Sequence, residues 1–314
     1  MKVLITGGAG FIGSLLVDRL VEKGNEVVVV DNFSTGKKEN LNSSMKFYDL
    51  DISDHEKLNA VFVLENPELV LHLAANALLR KSIEDPLYDA RCNILGTISV
   101  LECCRKNDVK KIIYTSTGGA RVGDPEYLPV DENHPLNPCS PYGISKHSAE
   151  HYFWTYNKLY GIEYFIFCFG NVYGIRDDSS TGRLIPFFVN KILNRENPKI
   201  FGDGNQTRDF IYVEDLVDFM INSINKIGTT EHKLFHLANG MQISVNEVVR
   251  LLREISEKNF EVERIQAIKG EVRDIVLDIS LAQKELDWSP RTHIKEGLAK
   301  TWAWFEKENV QKGF

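Results

Sequence analysis

At the head of the chain an apolar run, Val3-Leu4-Ile5, meets Gly7-x-x-Gly10-x-x-Gly13, and an amphipathic stretch through Leu15, Leu16 and Leu20 comes next. Glycines between a strand and a helix permit a tight turn. They also let a pyrophosphate approach the amides of the helix N-terminus. A lone triplet is a weak signal, because ordinary strand-to-helix turns carry glycine too. The rest of the chain gives it weight. Strand-like runs recur at 26–31, 46–49, 69–73, 111–115 and 164–168, with helical stretches between them. That alternation predicts an α/β fold, a Rossmann-type doubly wound parallel sheet with helices on both faces. The runs are continuously apolar rather than alternating, as strands buried on both sides require.

After about residue 171 the pattern loosens. Helices are expected at 184–193, from 214, at 245–258 and at 294–307, with a strand at 208–213. Residues 1–175 are read as a dinucleotide-binding domain to which 208–225 returns. Residues 176–314 are read mainly as a smaller α/β substrate-binding region, packed against the first with a cleft between. No internal repeat or flexible linker interrupts the chain.

The 314 residues carry a net charge of -7, which argues against nucleic acid as the main partner. No apolar run approaches the ~18 residues of a membrane span. Met1 is followed at once by a strand, which leaves no room for a signal peptide. The five cysteines are odd in number and lack metal spacing. They read as reduced thiols in a cytoplasmic protein without a metal.

Asp31 closes the second strand, with Asn32 beside it. An acid there can bond the adenosine ribose hydroxyls and repel a 2′-phosphate, so NAD is expected over NADP. Lys37 and Lys38 are read as a solvated loop. Asp51-Ile52 follows the third strand, towards the adenine. Leu73-Ala74-Ala75 follows the fourth, where small residues let the backbone approach a cofactor. His72 is expected to be a hydrogen-bonded structural histidine rather than a base.

Tyr142 and Lys146 stand four apart after Ser140-Pro141, a helix N-cap and first-turn proline. That spacing puts both on one helix face. A tyrosine is a poor base at neutral pH, with a reference pKa of about 10. A neighbouring ammonium is expected to lower it.

With these residues together, the chain resembles the extended short-chain dehydrogenase/reductase family. Within it, the likeness is greatest to NDP-sugar 4-epimerases of the UDP-glucose 4-epimerase type. The glycine turn, Asp31, Asp51-Ile52, His72-Leu73-Ala74-Ala75, Asn93-x-x-Gly96-Thr97, Thr115-Ser116-Thr117, Tyr142-x-x-x-Lys146, Asn171-Val172-Tyr173-Gly174 and 208–213 stand in family order. The resemblance implies an NAD site that also includes Phe11, Ile12 and Asn93. It implies that Tyr142 takes a proton from a sugar hydroxyl as hydride leaves the same carbon for NAD. Lys146 would lower the Tyr142 pKa and bond the nicotinamide ribose, and Thr117 would hold the hydroxyl. Asn171, Arg208 and Arg273 would contact the nucleotide sugar. The transient 4-keto sugar would turn over and take the hydride back on its other face. A homodimer through 87–105 and 145–160 is implied as well.

The chain also departs from the family pattern. Arg121-Val122 replaces the usual Val-Tyr after the Thr117 strand, and Arg121 is read as a surface residue or, second, a substrate contact. Gly270-Glu271 is preceded by Ile268-Lys269 where relatives often carry an arginine, so Lys269 or Arg273 is the expected substitute. Ile275 falls where a large aromatic restricts some relatives to plain hexoses, so N-acetyl sugars are expected to enter. A 4,6-dehydratase would need an Asp-Glu pair where Gly118-Gly119 stands. A uronic-acid 4-epimerase or decarboxylase would need a cation, from Arg80, Arg121 or Arg183. A non-catalytic NAD sensor is disfavoured by the retained Thr117, Tyr142 and Lys146.

Overall fold

The computed structural model describes residues 1–267 and 272–311. β1 (Lys2–Thr6) leads into α1 (Phe11–Glu22), β2 (Glu26–Asp31), β3 (Lys46–Asp49), α2 (His55–Glu65) and β4 (Leu69–His72). Then come α3 (Leu79–Glu84), α4 (Pro86–Ala90), α5 (Gly96–Lys106), β5 (Lys111–Thr117), α6 (Pro141–Tyr160) and β6 (Glu163–Phe169). Local chemistry sets the ends. Asp54 caps α2 by accepting the Lys57 N–H at 3.3 Å. Ser140 accepts the Gly143 N–H ahead of α6, Pro141 fills its first turn, and Gly161 ends it in the left-handed region.

The second half continues with β7 (Asn171–Tyr173), α7 (Leu184–Leu193), β8 (Lys199–Phe201), β9 (Thr207–Arg208), β10 (Phe210–Tyr212) and α8 (Val213–Ser223). It closes with β11 (Leu234–Leu237), β12 (Ile243–Ser244), α9 (Val245–Ser256), β13 (Glu263–Ile265), α10 (Ser280–Leu286) and α11 (Ile294–Gln311). Seven parallel strands form the central sheet in the order β3-β2-β1-β4-β5-β6-β11. After β3 the chain returns to the other side of β1. The strand order therefore reverses between β1 and β4, where doubly wound sheets open a ligand crevice at the carboxyl ends of their strands.

The valine-rich strands are buried on both sides. One face packs on α1, α8 and α10 through Leu16, Leu20, Val217, Met220 and Leu286. The other packs on α2, α5 and α6 through Leu58, Phe62, Val100 and Phe153. A separate core of Phe188, Val249, Leu252, Leu298 and Trp302 joins α7, α9 and α11.

Three expectations change. The strand at 208–213 is broken at Asp209, and its halves pair differently: β9 with β12, β10 with β7. The buried Asp209 carboxylate accepts the N–H groups of Asn239, Gly240 and Leu277, which pins the chain there. The return to the first core also extends past residue 225, because β11 adds a strand to the sheet and Trp288 packs beneath it. Finally, 87–105 is not one regular helix. Arg91–Leu95 is a π-helical stretch between α4 and α5, where the Thr97 hydroxyl donates to the Asn93 carbonyl at 2.7 Å. Among the described residues, no helix is long and apolar enough to cross a membrane.

Candidate active site

The crevice between the ends of β1 and β4 is about 1320 Å³, counting its open mouth. Its floor is the glycine turn. Gly7 takes φ +75°, and a Cβ there would stand 2.7 Å from the Ala74 nitrogen. Glycine thus brings the turn against the small residues after β4, as the sequence implied. Every residue predicted to hold the cofactor lines this crevice except Asn93: Gly7, Gly10, Phe11, Ile12, Gly13, Asp31, Asn32, Asp51, Ile52, Leu73, Ala74, Ala75, Tyr142 and Lys146.

Asp31 is oriented by two backbone donors, Ala9 N–H at 3.0 Å and Phe33 N–H at 2.8 Å. Burial raises its carboxyl above the ordinary value, and those two donors oppose the shift. Asp51 accepts from Asn32 Nδ2 at 2.9 Å, which joins the ends of β2 and β3 at the crevice rim. Asn93 lies behind the wall. Its Oδ1 accepts the Asn76 N–H at 2.9 Å, and its Nδ2 donates to the Asn76 carbonyl at 3.0 Å and to Asp89 Oδ1 at 2.9 Å. Its amide is committed to the protein, so the structure makes it a support of the loop after Ala75.

His72 is fully buried between Thr6 Oγ1 at 2.7 Å and Thr97 Oγ1 at 3.0 Å. Burial, reinforced by Lys146, pushes its titration down to about 3. A neutral ring tying two hydroxyls across β1 and α5 is the structural role expected of it.

Thr117 ends β5, Tyr142 opens α6, and Lys146 follows one turn later, buried over the Tyr114 ring at 4.2 Å. Tyr142 and Lys146 share one face of α6, and the Thr117 hydroxyl at the end of β5 is near enough to favour the ionised phenol. The electrostatics of the pair reverse the expectation from the sequence. Burial pushes Tyr142 up to about 12, with Asp89 adding to the rise and Arg183 and Thr117 opposing it. Burial also pushes Lys146 down to about 7. Burial disfavours the charged form of both groups, so it raises the phenol and lowers the ammonium, and no neighbour outweighs it.

Of the predicted substrate residues Tyr142 lines this crevice, whereas Thr117, Asn171, Arg208, Arg273 and Ile275 are not part of its lining. Parallel pairing of β7 with β10 sets Asn171 opposite Phe210, and the Asn171 N–H donates to the Asp209 carbonyl at 2.6 Å. Arg208 Nη1 donates to the Arg273 carbonyl at 3.0 Å, which brings those two arginines together. The Arg273 side chain is exposed and faces Asp203 at 3.5 Å. Ile275 is buried with Val122, Val130, Ala238 and Leu277, 3.5 Å from the Cβ position of Gly119. Ile268, Lys269, Gly270 and Glu271 lie outside the described residues.

Two readings are corrected. Arg121 is neither a surface residue nor open to substrate: it is 2% exposed, with its Nη1 on Glu150 Oε2 at 2.9 Å. Lys37 is not simply a solvated loop residue, since it lines the crevice and pairs with Asp178 at 3.4 Å. Of a strap over the crevice contributed by Arg176, Asp178, Thr181 and Arg183, sequence reasoning named only Arg183, as a candidate cation. Arg176 pairs with Asp18 at 2.7 Å, Arg183 pairs with Asp177, and the Arg183 guanidinium stands 5.3 Å from the Phe11 ring centre. The run of charges just after Gly174 was the available signal.

A dinucleotide-sized crevice at a topological switch point, lined by Tyr142 and Lys146, defines a nucleotide-dependent enzyme of the doubly wound α/β class. The model of the NAD dependent epimerase/dehydratase family matches residues 3–236, and the chain belongs to this family. It is 44% identical over 313 residues to a provisional UDP-glucose 4-epimerase of Methanocaldococcus jannaschii, covering 98% of this chain and 99% of that one. A UDP-glucose 4-epimerase of Thermotoga maritima, solved with UDP-glucose, superposes with a TM-score of 0.93 at 39% identity, over 98% of this chain and 100% of that chain. A UDP-N-acetylglucosamine 4-epimerase of Methanobrevibacter ruminantium, solved with UDP-N-acetylmuramic acid, gives 0.89 at 32% identity, covering 98% of each chain.

Proposed function

We propose that this protein is an NAD-dependent nucleotide-sugar 4-epimerase that interconverts the galacto and gluco forms of UDP-hexoses, including N-acetyl forms. The observation that carries this reading is that Tyr142 and Lys146 open onto the same crevice as the glycine turn and Asp31, with Thr117 at the end of β5. The crevice fits the cofactor: the turn admits a pyrophosphate, and the Asp31 carboxylate suits ribose hydroxyls. NAD, when bound, supplies a hydride acceptor. Tyr142 moves the proton at the sugar hydroxyl, Thr117 holds that hydroxyl, and Lys146 stabilises the phenolate. Asn171, Arg208 and Arg273 bind the nucleotide sugar, with a guanidinium fork suited to the diphosphate.

Dehydration is disfavoured sterically as well as chemically. A Cβ on Gly118 would stand 2.3 Å from Leu277 Cδ1, so an acid does not fit there unless Leu277 moves. A uronic-acid reading loses Arg121, which Glu150 already holds.

The stretch 86–106 packs beside α6, and together they expose Leu87, Leu95, Ile144, Trp154 and Leu159. A second copy covering that face would give a homodimer. Light scattering of wild type against Leu87→Glu tests it, and a monomeric wild type would refute it. All five cysteines are free thiols, which suits a reducing cytoplasm.

The test of function is proton NMR of the protein with UDP-galactose and catalytic NAD, repeated with UDP-N-acetylgalactosamine. Growth of the gluco anomeric signal to a fixed ratio, without net NADH, is expected. No conversion of either sugar by NAD-loaded protein would overturn the proposal.

A further inference from the structure

Helix α6 carries a third ionisable side chain in the series that holds Tyr142 and Lys146. Glu150 follows Lys146 by four residues, so all three share a face. Its carboxylate is buried and occupied on both oxygens. Ser116 Oγ donates to Oε1 at 2.6 Å, and Arg121 Nη1 donates to Oε2 at 2.9 Å. His147 Nδ1 stands 3.1 Å from the same Oε2. Arg121 Nη1 also reaches Cys168 Sγ at 3.4 Å.

This cluster ties three elements to the acid–base site. Ser116 immediately precedes Thr117 on β5, Arg121 sits in the loop after that strand, and Glu150 lies one turn beyond Lys146. A buried ion pair is rarely a net source of stability, because both ions lose their hydration. Here the anion lies among two cations, Arg121 and Lys146, and its charge favours the ammonium of Lys146.

We propose that the Arg121–Glu150 pair is a positioning device for the Tyr142–Lys146 couple: Glu150 supplies the counter-charge to the Lys146 ammonium, and Arg121 limits how much of that charge reaches it. The inference rests on the epimerase reading for its kinetic readout only. Besides Tyr142, the other groups facing Lys146 are Tyr114, whose ring lies 4.2 Å below the ammonium, Asp89, Cys168 and His72. Those facing Glu150 are Ser116, Arg121, His147, Cys168, Tyr114, Tyr164 and His236.

The test compares wild type, Glu150→Gln and Arg121→Met. The readouts are the pH profile of epimerisation, the thermal midpoint, and the titration of the Lys146 Cε resonance in lysine-labelled protein, assigned with Lys146→Met. Loss of the anion moves the Lys146 titration and the basic limb of activity down by about one pH unit. Loss of the neighbouring cation moves both up by a similar amount. Opposite shifts are the signature. A merely structural pair would lower the thermal midpoint in both variants and move neither titration, and that result overturns the proposal. So do shifts in the same direction. If Glu150→Gln fails to fold, Arg121→Met against Arg121→Lys decides. The methionine must move the titration and the lysine restore it, and equal behaviour of the two refutes the idea. An inactive wild type would sink the epimerase reading alone, because the resonance titration still judges the pair.

Discussion

The carbonyl oxygen of Gly7 lies 2.1 Å from the point a Cβ on Gly13 would occupy. Both glycines belong to one turn, so the third is required because the start of α1 rests directly on the first. Gly13→Ala must lift the helix off the turn and displace the amides offered to a pyrophosphate. NAD affinity should fall at least tenfold, about 1.4 kcal/mol, by calorimetric titration, with far-ultraviolet circular dichroism unchanged. Wild-type affinity in the alanine variant would break the link between this contact and the cofactor.

Tyr142→Phe removes one hydroxyl and leaves the ring that lines the crevice. If Tyr142 moves the proton, turnover should fall by about 10²–10⁴-fold. NAD affinity and the thermal midpoint should stay near wild type. A phenylalanine variant with more than a tenth of wild-type turnover would assign the proton to another group.

Lys146 is buried at a cost to stability. Its titration lies at about 7 in the fold, against an ordinary value of 10.5. Between those pH values the unfolded chain binds the extra proton, so this residue makes stability rise with pH across that window. Below pH 7 the fold bears the whole penalty of a buried ammonium. Lys146→Met should therefore stabilise the protein at pH 6 by about 1–4 kcal/mol, lose that gain towards pH 10, and abolish turnover. Thermal melts across this range check it. A methionine variant less stable than wild type at pH 6 would mean that Glu150 needs Lys146 more than burial penalises it.

The features legible in the sequence are those that local backbone geometry dictates. Gly13 must be glycine because the turn itself leaves no room, and Gly7 because it lies against the backbone of Leu73 and Ala74. Ser140-Pro141 and the Tyr142–Lys146 spacing are also local, and all of these fell where expected. The residues misread depend on distant partners. Arg121 is explained by Glu150, 29 positions away, and Asn93 by Asn76, 17 positions away. The strap at 176–183 is held by Asp18 and Lys37, from the opposite end of the chain. β11 is only Leu234–Leu237, and its identity as a strand comes from pairing with β6 rather than from its own pattern. The expected lowering of the Tyr142 pKa failed for a related reason: spacing predicts the neighbour but not how little water surrounds the pair.

His72 offers the converse test, a histidine near the site with no chemical role. His72→Gln should break one or both of the buried hydrogen bonds to the Thr6 and Thr97 hydroxyls, costing about 1–3 kcal/mol in urea unfolding at pH 7. Its folded titration is lowered, so protonation favours the unfolded chain as pH falls from about 6.5 towards 3. Wild type should lose stability over that window, and the glutamine variant should lose less. Turnover of the folded variant should remain within a few-fold of wild type. A thousandfold loss with the fold intact would restore the catalytic-base reading.

Ile275 connects the substrate question to a single side chain. It stands beside Gly119, two residues beyond Thr117, and is 6% exposed within a small apolar cluster. A side chain at that point limits the room available to a group on the sugar's C2 if the hexose ring lies against Thr117. Ile275→Tyr should then reduce turnover of UDP-N-acetylgalactosamine at least tenfold more than that of UDP-galactose, and Ile275→Val should turn over both. The two substrates are compared in the same folded variant, so a general packing defect from the larger ring lowers both rates and leaves their ratio unchanged. An unchanged ratio in the tyrosine variant would make Ile275 a core residue and move the search for the C2 gate to other walls of the cleft.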